Sequence, residues 1–174
     1  MLLAATTAAS YLLWHMTTVS GKMQEITPLQ SLDSRRTGYS PSDAYQLFTA
    51  LGDEGMDMYK EINWLDLVVF PLVLSSLMAM LMGRFLEGAR FPVQYNMLPF
   101  VYAAADIAEN CCVFWLLHTW PKFSPEVAGV CSLLTGFKYR FFFYSLGGVV
   151  ISGLLYLRRL VTSRQPQQAR PHLE

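Results

Sequence analysis

Charge is scarce in this chain. Of 174 residues only 15% are charged, 13 basic against 13 acidic, where a soluble domain usually carries about 25%. Zero net charge without a basic tract excludes a nucleic-acid partner, whose phosphates demand a positive face. Cysteine is also sparse: Cys111 and Cys112 lie side by side in an apolar run, and Cys131 stands alone. No CxxC and no Cys/His metal spacing occurs, so three reduced, lipid-embedded thiols are expected, with no metal and no cofactor. A P-loop, HExxH, GxSxG and GxGxxG are all missing, so no motif points to nucleotide, metal or nucleophilic chemistry.

Hydrophobic length is what the chain has instead. It is 53% hydrophobic and 14% aromatic. Four windows approach the roughly 20 apolar residues that cross a bilayer: Leu2–Val19, Ile62–Met82, Leu98–Leu117 and a last one ending at Leu157–Leu160. The first, MLLAATTAASYLLWHMTTVS, has no charge before Lys22 and lacks the basic start of a secretory signal, so it reads as an uncleaved helix. The expected fold class is all-α, a transmembrane four-helix bundle with a short amphipathic interfacial helix between spans one and two. Residues 1–20 are the first span, 21–61 a polar loop with the amphipathic helix at about 41–52, 62–162 three further spans, and 163–174 a flexible tail.

The loop contains YSPSDAYQLFTALGDEG. Ser40 suits an N-cap, Pro41 a first helical residue, Asp43 the positive end of the dipole, and Gly52 a stop. Ala44, Leu47, Phe48 and Leu51 then form one apolar stripe, for the bundle's end, the lipid interface or a docking partner. FSPEVAGVCSLLTG, before the last span, repeats the opening, either as an internal repeat or as an independent use of Ser-Pro capping. Pro71 cannot donate to the Leu67 carbonyl, so a kink is expected there. Arg84, Arg90, Arg158, Arg159, Arg164 and Arg170 fall on one side of four spans. Lys22, Arg35, Arg36, Lys60 and Lys122 fall on the other, partly in a longer loop. The bias puts both termini of an integral, multi-pass protein on the cytoplasmic or matrix side.

Two acids and an amide interrupt the third span. Asp106, Glu109 and Asn110 in DIAEN share one helical face. At a helix centre an uncompensated acid costs roughly 2.5–3.5 kcal/mol on the insertion scale. Compensation is within reach of the last span. If Trp120 faces Pro125 in an antiparallel hairpin, Lys138 faces about position 107 and Arg140 about position 105. The two cations lie about 200° apart, and Lys138 shares its face with the small residues Ser145, Gly148 and Ser152, so Lys138 is expected to point inward. Arg140 is left to snorkel or to pair elsewhere. A helix break at Gly136 would instead leave Lys138 at the start of the span, merely snorkelling. Asn63 and Asp66 form a second polar group, set by antiparallel register near His118. That group is either a proton-exchanging Asp66–His118 pair or a helix end meeting headgroups.

The order GYSPSDAYQLFTALGDEGMDMY, DLVVFP, DIAEN and a basic residue early in the last span resembles a family of uncharacterised four-span membrane proteins of bacteria and some eukaryotes, over about Leu32 to Leu157. Its pattern is GY[ST]PxxA, LGxxGxxxY, DxxFP and DxxEN. Gly38 to Ala44, Leu51 to Tyr59, and Asp106, Glu109 and Asn110 match, whereas DLVVFP carries one extra residue after Asp66. The resemblance implies the four-span fold and the place of the site, and no activity.

Three functions stay open. The leading one is an accessory or interaction subunit of a membrane assembly, with membrane lipids and other membrane-protein subunits as partners. The others are proton or cation transport through the carboxylates, and an intramembrane enzyme acting on a lipid or sterol.

Overall fold

The computed structural model describes residues 2–87 and 93–163. Arg90, Arg164 and Arg170, and the expected tail beyond Ser163, lie outside the described residues. Among the described residues five α-helices follow in order: α1 (Leu2–Ile26), α2 (Pro41–Leu67), α3 (Val69–Leu86), α4 (Leu98–Thr119) and α5 (Pro125–Ser163). Short 3-10 turns at Leu32–Ser34 and Val93–Met97 precede α2 and α4.

Local chemistry sets the ends. Ser40 Oγ accepts from the Asp43 amide at 3.1 Å while the Asp43 carboxylate accepts from the Ser40 amide at 2.8 Å. This capping box, with Pro41 as first residue, satisfies two otherwise orphaned donors. Gly52 then takes φ 59°, ψ −168°, a conformation open essentially to glycine. The amphipathic segment 41–51 therefore ends where the sequence predicts, but the chain re-enters helix at once and runs on to Leu67. A second break falls at Val68 (φ −138°, ψ −42°). Pro71 sits in the first turn of α3, where its missing N–H costs little.

The stripe of Ala44, Leu47, Phe48 and Leu51 is buried on the end of the bundle. It packs with Met23, Leu32, Tyr59, Val113, Leu116, Leu117, Ala128 and Cys131. All three cysteines are free: Cys131 lies in this cluster and Cys111 is exposed. Gly38 (φ 86°) brings the incoming strand of chain so close to α5 that a Cβ there would meet Ser132 Oγ at 2.7 Å.

α5 is continuous through Gly136, over 39 residues or about 58 Å. Its length exceeds one crossing because its first turns, with Ala128 and Cys131, lie under the α2 stripe. Ser124 caps it, its Oγ accepting from the Val127 amide at 3.3 Å, so the two Ser-Pro segments share a cap but not the later break. Among the described residues, three stretches are long and apolar enough to cross a membrane: Pro41–Leu86, Tyr95–Thr119 and Pro125–Thr162. α1, 25 residues long, has the length but not the same apolarity.

Candidate functional site

α4 presents Tyr102, Asp106, Glu109 and Asn110 inward, one stacked above another at helical spacing, and α5 answers with Phe142, Lys138 and Thr135. Lys138 Nζ donates to Asp106 Oδ1 at 2.9 Å and to Glu109 Oε2 at 2.5 Å. All three side chains are buried, with 6%, 2% and 0% of Lys138, Asp106 and Glu109 exposed. The hairpin register is the one the sequence predicts, and Gly136 does not interrupt it.

The remaining acceptor positions are also taken. Tyr102 OH donates to Asp106 Oδ2 at 2.7 Å, and Asn110 Nδ2 reaches Asp106 Oδ1 at 3.3 Å. Thr135 Oγ1 donates to Glu109 Oε1 at 2.6 Å. Each carboxylate oxygen of Asp106 and Glu109 therefore has a donor, which is what makes a buried charge tolerable. One base serves both acids rather than one. Tyr102 and Thr135 did not figure among the expected residues, although each sits one turn before a residue that did.

Asp66 corrects the sequence reading. Antiparallel register predicts it near His118, yet His118 is exposed, stacks on Phe114 at 3.9 Å and has Nδ1 2.9 Å from the Phe114 carbonyl. Asp66 lies instead beside the central cluster, its main-chain oxygen accepting from Asn110 Nδ2 at 2.9 Å. Asn63 Nδ2 likewise reaches Asn110, at 3.3 and 3.4 Å. The register expected from sequence holds only if α2 and α3 form one straight helix. The break at Val68 separates them and lets the end of α2 lean on α4 about a turn or two lower.

The Asp66 carboxylate accepts no hydrogen bond among the described residues, although only 6% of the residue is exposed. It faces a cavity of about 510 Å³. Asp106, Lys138 and Tyr139 of the hairpin line it as well, together with Asp33 and Ser34. Asp33 is held there by Tyr139 OH, which donates to its carbonyl at 2.9 Å, and Tyr59 OH, which reaches its carboxylate at 3.3 Å. No sequence signal places Asp33 at the site, because it belongs to an irregular connection.

Arg140, the second cation of the last span, is exposed and makes neither ion pair nor hydrogen bond among the described residues. Comparison with family models, curated proteins and solved structures gives no match.

Proposed function

We propose that the chain is a four-span integral membrane protein that holds a lipid-like ligand in the cavity beside the Lys138–Asp106–Glu109 cluster. The observation that carries this is the amphipathic lining of the cavity. Asp33, Asp66, Asp106 and Lys138 supply charged groups, Thr6, Ser10 and Thr17 of α1 supply hydroxyls, and Phe70, Leu74, Leu77 and Phe142 supply apolar surface. From Asp66 to Leu77 is about 16 Å along the helical path, and the volume falls in the range of about 300–1,000 Å³ common for small-molecule sites.

The fourth span in this reading is α1. Three of its hydroxyls are satisfied within the helix, since Thr7, Thr17 and Thr18 donate to the carbonyls of Leu3, Leu13 and Trp14 at 3.0, 2.8 and 2.8 Å. It packs along α2 and α3, and the resemblance to a four-span family supports the same count. With four spans both termini share one side, the cytoplasmic or matrix side by charge bias. The helix at 41–51 then lies at the interface above the bundle.

Transport through Asp106 and Glu109 is poorly served, because every oxygen of both is already bonded. One observation favours an interaction subunit: Arg140 is an exposed cation on an apolar helix, where a partner's carboxylate would pair it. Arg140→Leu should then release a protein that a photocrosslinker at Phe137 captures from wild type; crosslinks to lipid alone would remove that reading.

The ligand reading is tested by extracting the full chain in mild detergent and weighing the lipid that stays with it. Wild type is expected to retain lipid, and Leu74→Trp, which puts a bulkier side chain into the cavity lining, to lose it while melting normally. Equal retention by the two proteins overturns the reading.

A further inference from the structure

Resting on the ligand reading above, we infer that the cavity selects an amphiphile with one hydrocarbon chain and a protonated amine head, and that the Asp66 carboxylate is the group that holds the amine. Charge and a vacant acceptor both favour such a head. Among the described residues, three acids, Asp33, Asp66 and Asp106, line the cavity against one base, Lys138. That base is already shared between Asp106 and Glu109, so it offers little to an anionic head. Asp106 is fully bonded, and Asp33 already receives Tyr59 OH. Asp66 is the acid that is buried, faces the cavity and has no donor among the described residues.

A buried carboxylate without a donor is costly, and a bound ammonium group removes that cost by supplying both the charge and the hydrogen bond. A fatty acid would add a fourth negative group beside Asp66, and a long-chain alcohol would supply a donor but no charge. The hydrocarbon chain has a defined course. α3 contributes Phe70, Leu74 and Leu77 to the lining, and α1 adds Ala9, Leu13 and Met16 with the hydroxyls of Thr6 and Ser10 between them. α1 packs on α2 and α3, and the cavity parts it from α5. The gap between α1 and α5 is the side entry for a molecule already dissolved in the bilayer.

The test uses the delipidated full chain in a zwitterionic detergent, titrated with hexadecylamine, hexadecanol and hexadecanoate and read by native mass spectrometry. The amine is expected to bind roughly tenfold or more tightly than the alcohol, as a charge-assisted hydrogen bond implies, and hexadecanoate most weakly. Asp66→Asn should reduce the amine to the level of the alcohol, and Leu74→Trp should abolish all three adducts. If none binds wild type, or Leu74→Trp leaves binding unchanged, the ligand reading itself fails. If all bind but the amine is not preferred, or the preference survives Asp66→Asn, the cavity stands and the role of Asp66 is overturned. A second measurement needs no variant. A hydrophobic carbodiimide activates a carboxyl as the O-acylisourea, bound hexadecylamine displaces the urea, and an amide forms. Peptide mapping should find that amide at Asp66, and an amide elsewhere, or none, counts against the inference.

Discussion

Lys138 Nζ on α5 lies 2.9 Å from Asp106 Oδ1 on α4, and the contact is a consequence of the short connection between the two helices. α4 ends at Thr119 and α5 begins at Pro125, so the pair can only run antiparallel, and equal numbers of turns from the connection bring the acid and the base to one depth. The same geometry puts Thr135 on Glu109 and Phe142 beside Tyr102. Together these contacts fix the register of the hairpin on which one wall of the cavity depends.

Removing the base alone should therefore be the most damaging change at the cluster. Lys138→Met leaves two buried acids with no cation, and breaking a buried pair costs about 3–5 kcal/mol. Because Lys138 touches both acids, adding Asp106→Leu should recover only part of the loss. The triple variant with Glu109→Leu should recover most of it, since apolar replacement of a whole buried network is often nearly neutral. Melting in detergent gives the order directly. Unchanged melting of Lys138→Met would mean that the contact contributes nothing.

Two glycines should respond in opposite directions. Gly52→Ala forces a side chain into φ 59°, ψ −168°, at a cost of about 1–3 kcal/mol. Gly136 is in the interior of α5, and a Cβ there would meet nothing within 4 Å. Gly136→Ala should therefore stabilise by about 0.5–1 kcal/mol through lost unfolded-state entropy. A comparison of melting midpoints decides, and a stabilised Gly52→Ala would contradict the break.

These two residues also mark how far the sequence could be read. A cap, an apolar stripe and a glycine stop are short-range features, so the segment from Ser40 to Gly52 was legible, and so was the hairpin that seats Lys138. Asp66 was misplaced because its depth depended on a helix assumed straight across Val68. A break of that kind changes register without leaving a pattern in the apolar residues around it. The cavity was beyond reach, since it arises where α1 packs on α2 and α3 without closing against α5, and no local signal records what two helices fail to touch.

The four-span reading predicts a labelling pattern. With Cys111, Cys112 and Cys131 replaced by serine or alanine, single cysteines at Leu3 and Thr162 should react with an impermeant thiol reagent from one side of the membrane. A cysteine at Lys122, between α4 and α5, should react from the other. If Leu3 labels with Lys122 instead, α1 does not cross and the chain has three spans.

Asn110 should matter more than Asn63, although the two amides touch. Asn110 Nδ2 donates to the Asp66 main-chain oxygen at 2.9 Å and lies 3.3 Å from Asp106 Oδ1, so it ties the end of α2 to α4 beside the cluster. Asn63 offers two longer contacts through Nδ2, and its Oδ1 is buried without a hydrogen-bond partner among the described residues. Asn110→Leu strips a donor from two buried acceptors, a loss of about 1–3 kcal/mol. Asn63→Leu removes an unsatisfied acceptor along with weak bonds, and the two effects should nearly cancel. Asn110→Asp goes furthest, because it deletes the donor and sets another acid beside Asp66, Asp106 and Glu109 with Lys138 as the one buried base among them. The expected order of melting is therefore wild type close to Asn63→Leu, then Asn110→Leu, then Asn110→Asp. Raising pH should widen the gap between the last two, since the added aspartate repels its neighbours only when it is charged. An Asn63→Leu variant that melts as low as Asn110→Leu would show that the amide pair works as one unit, and that the link from α2 to α4 runs through both.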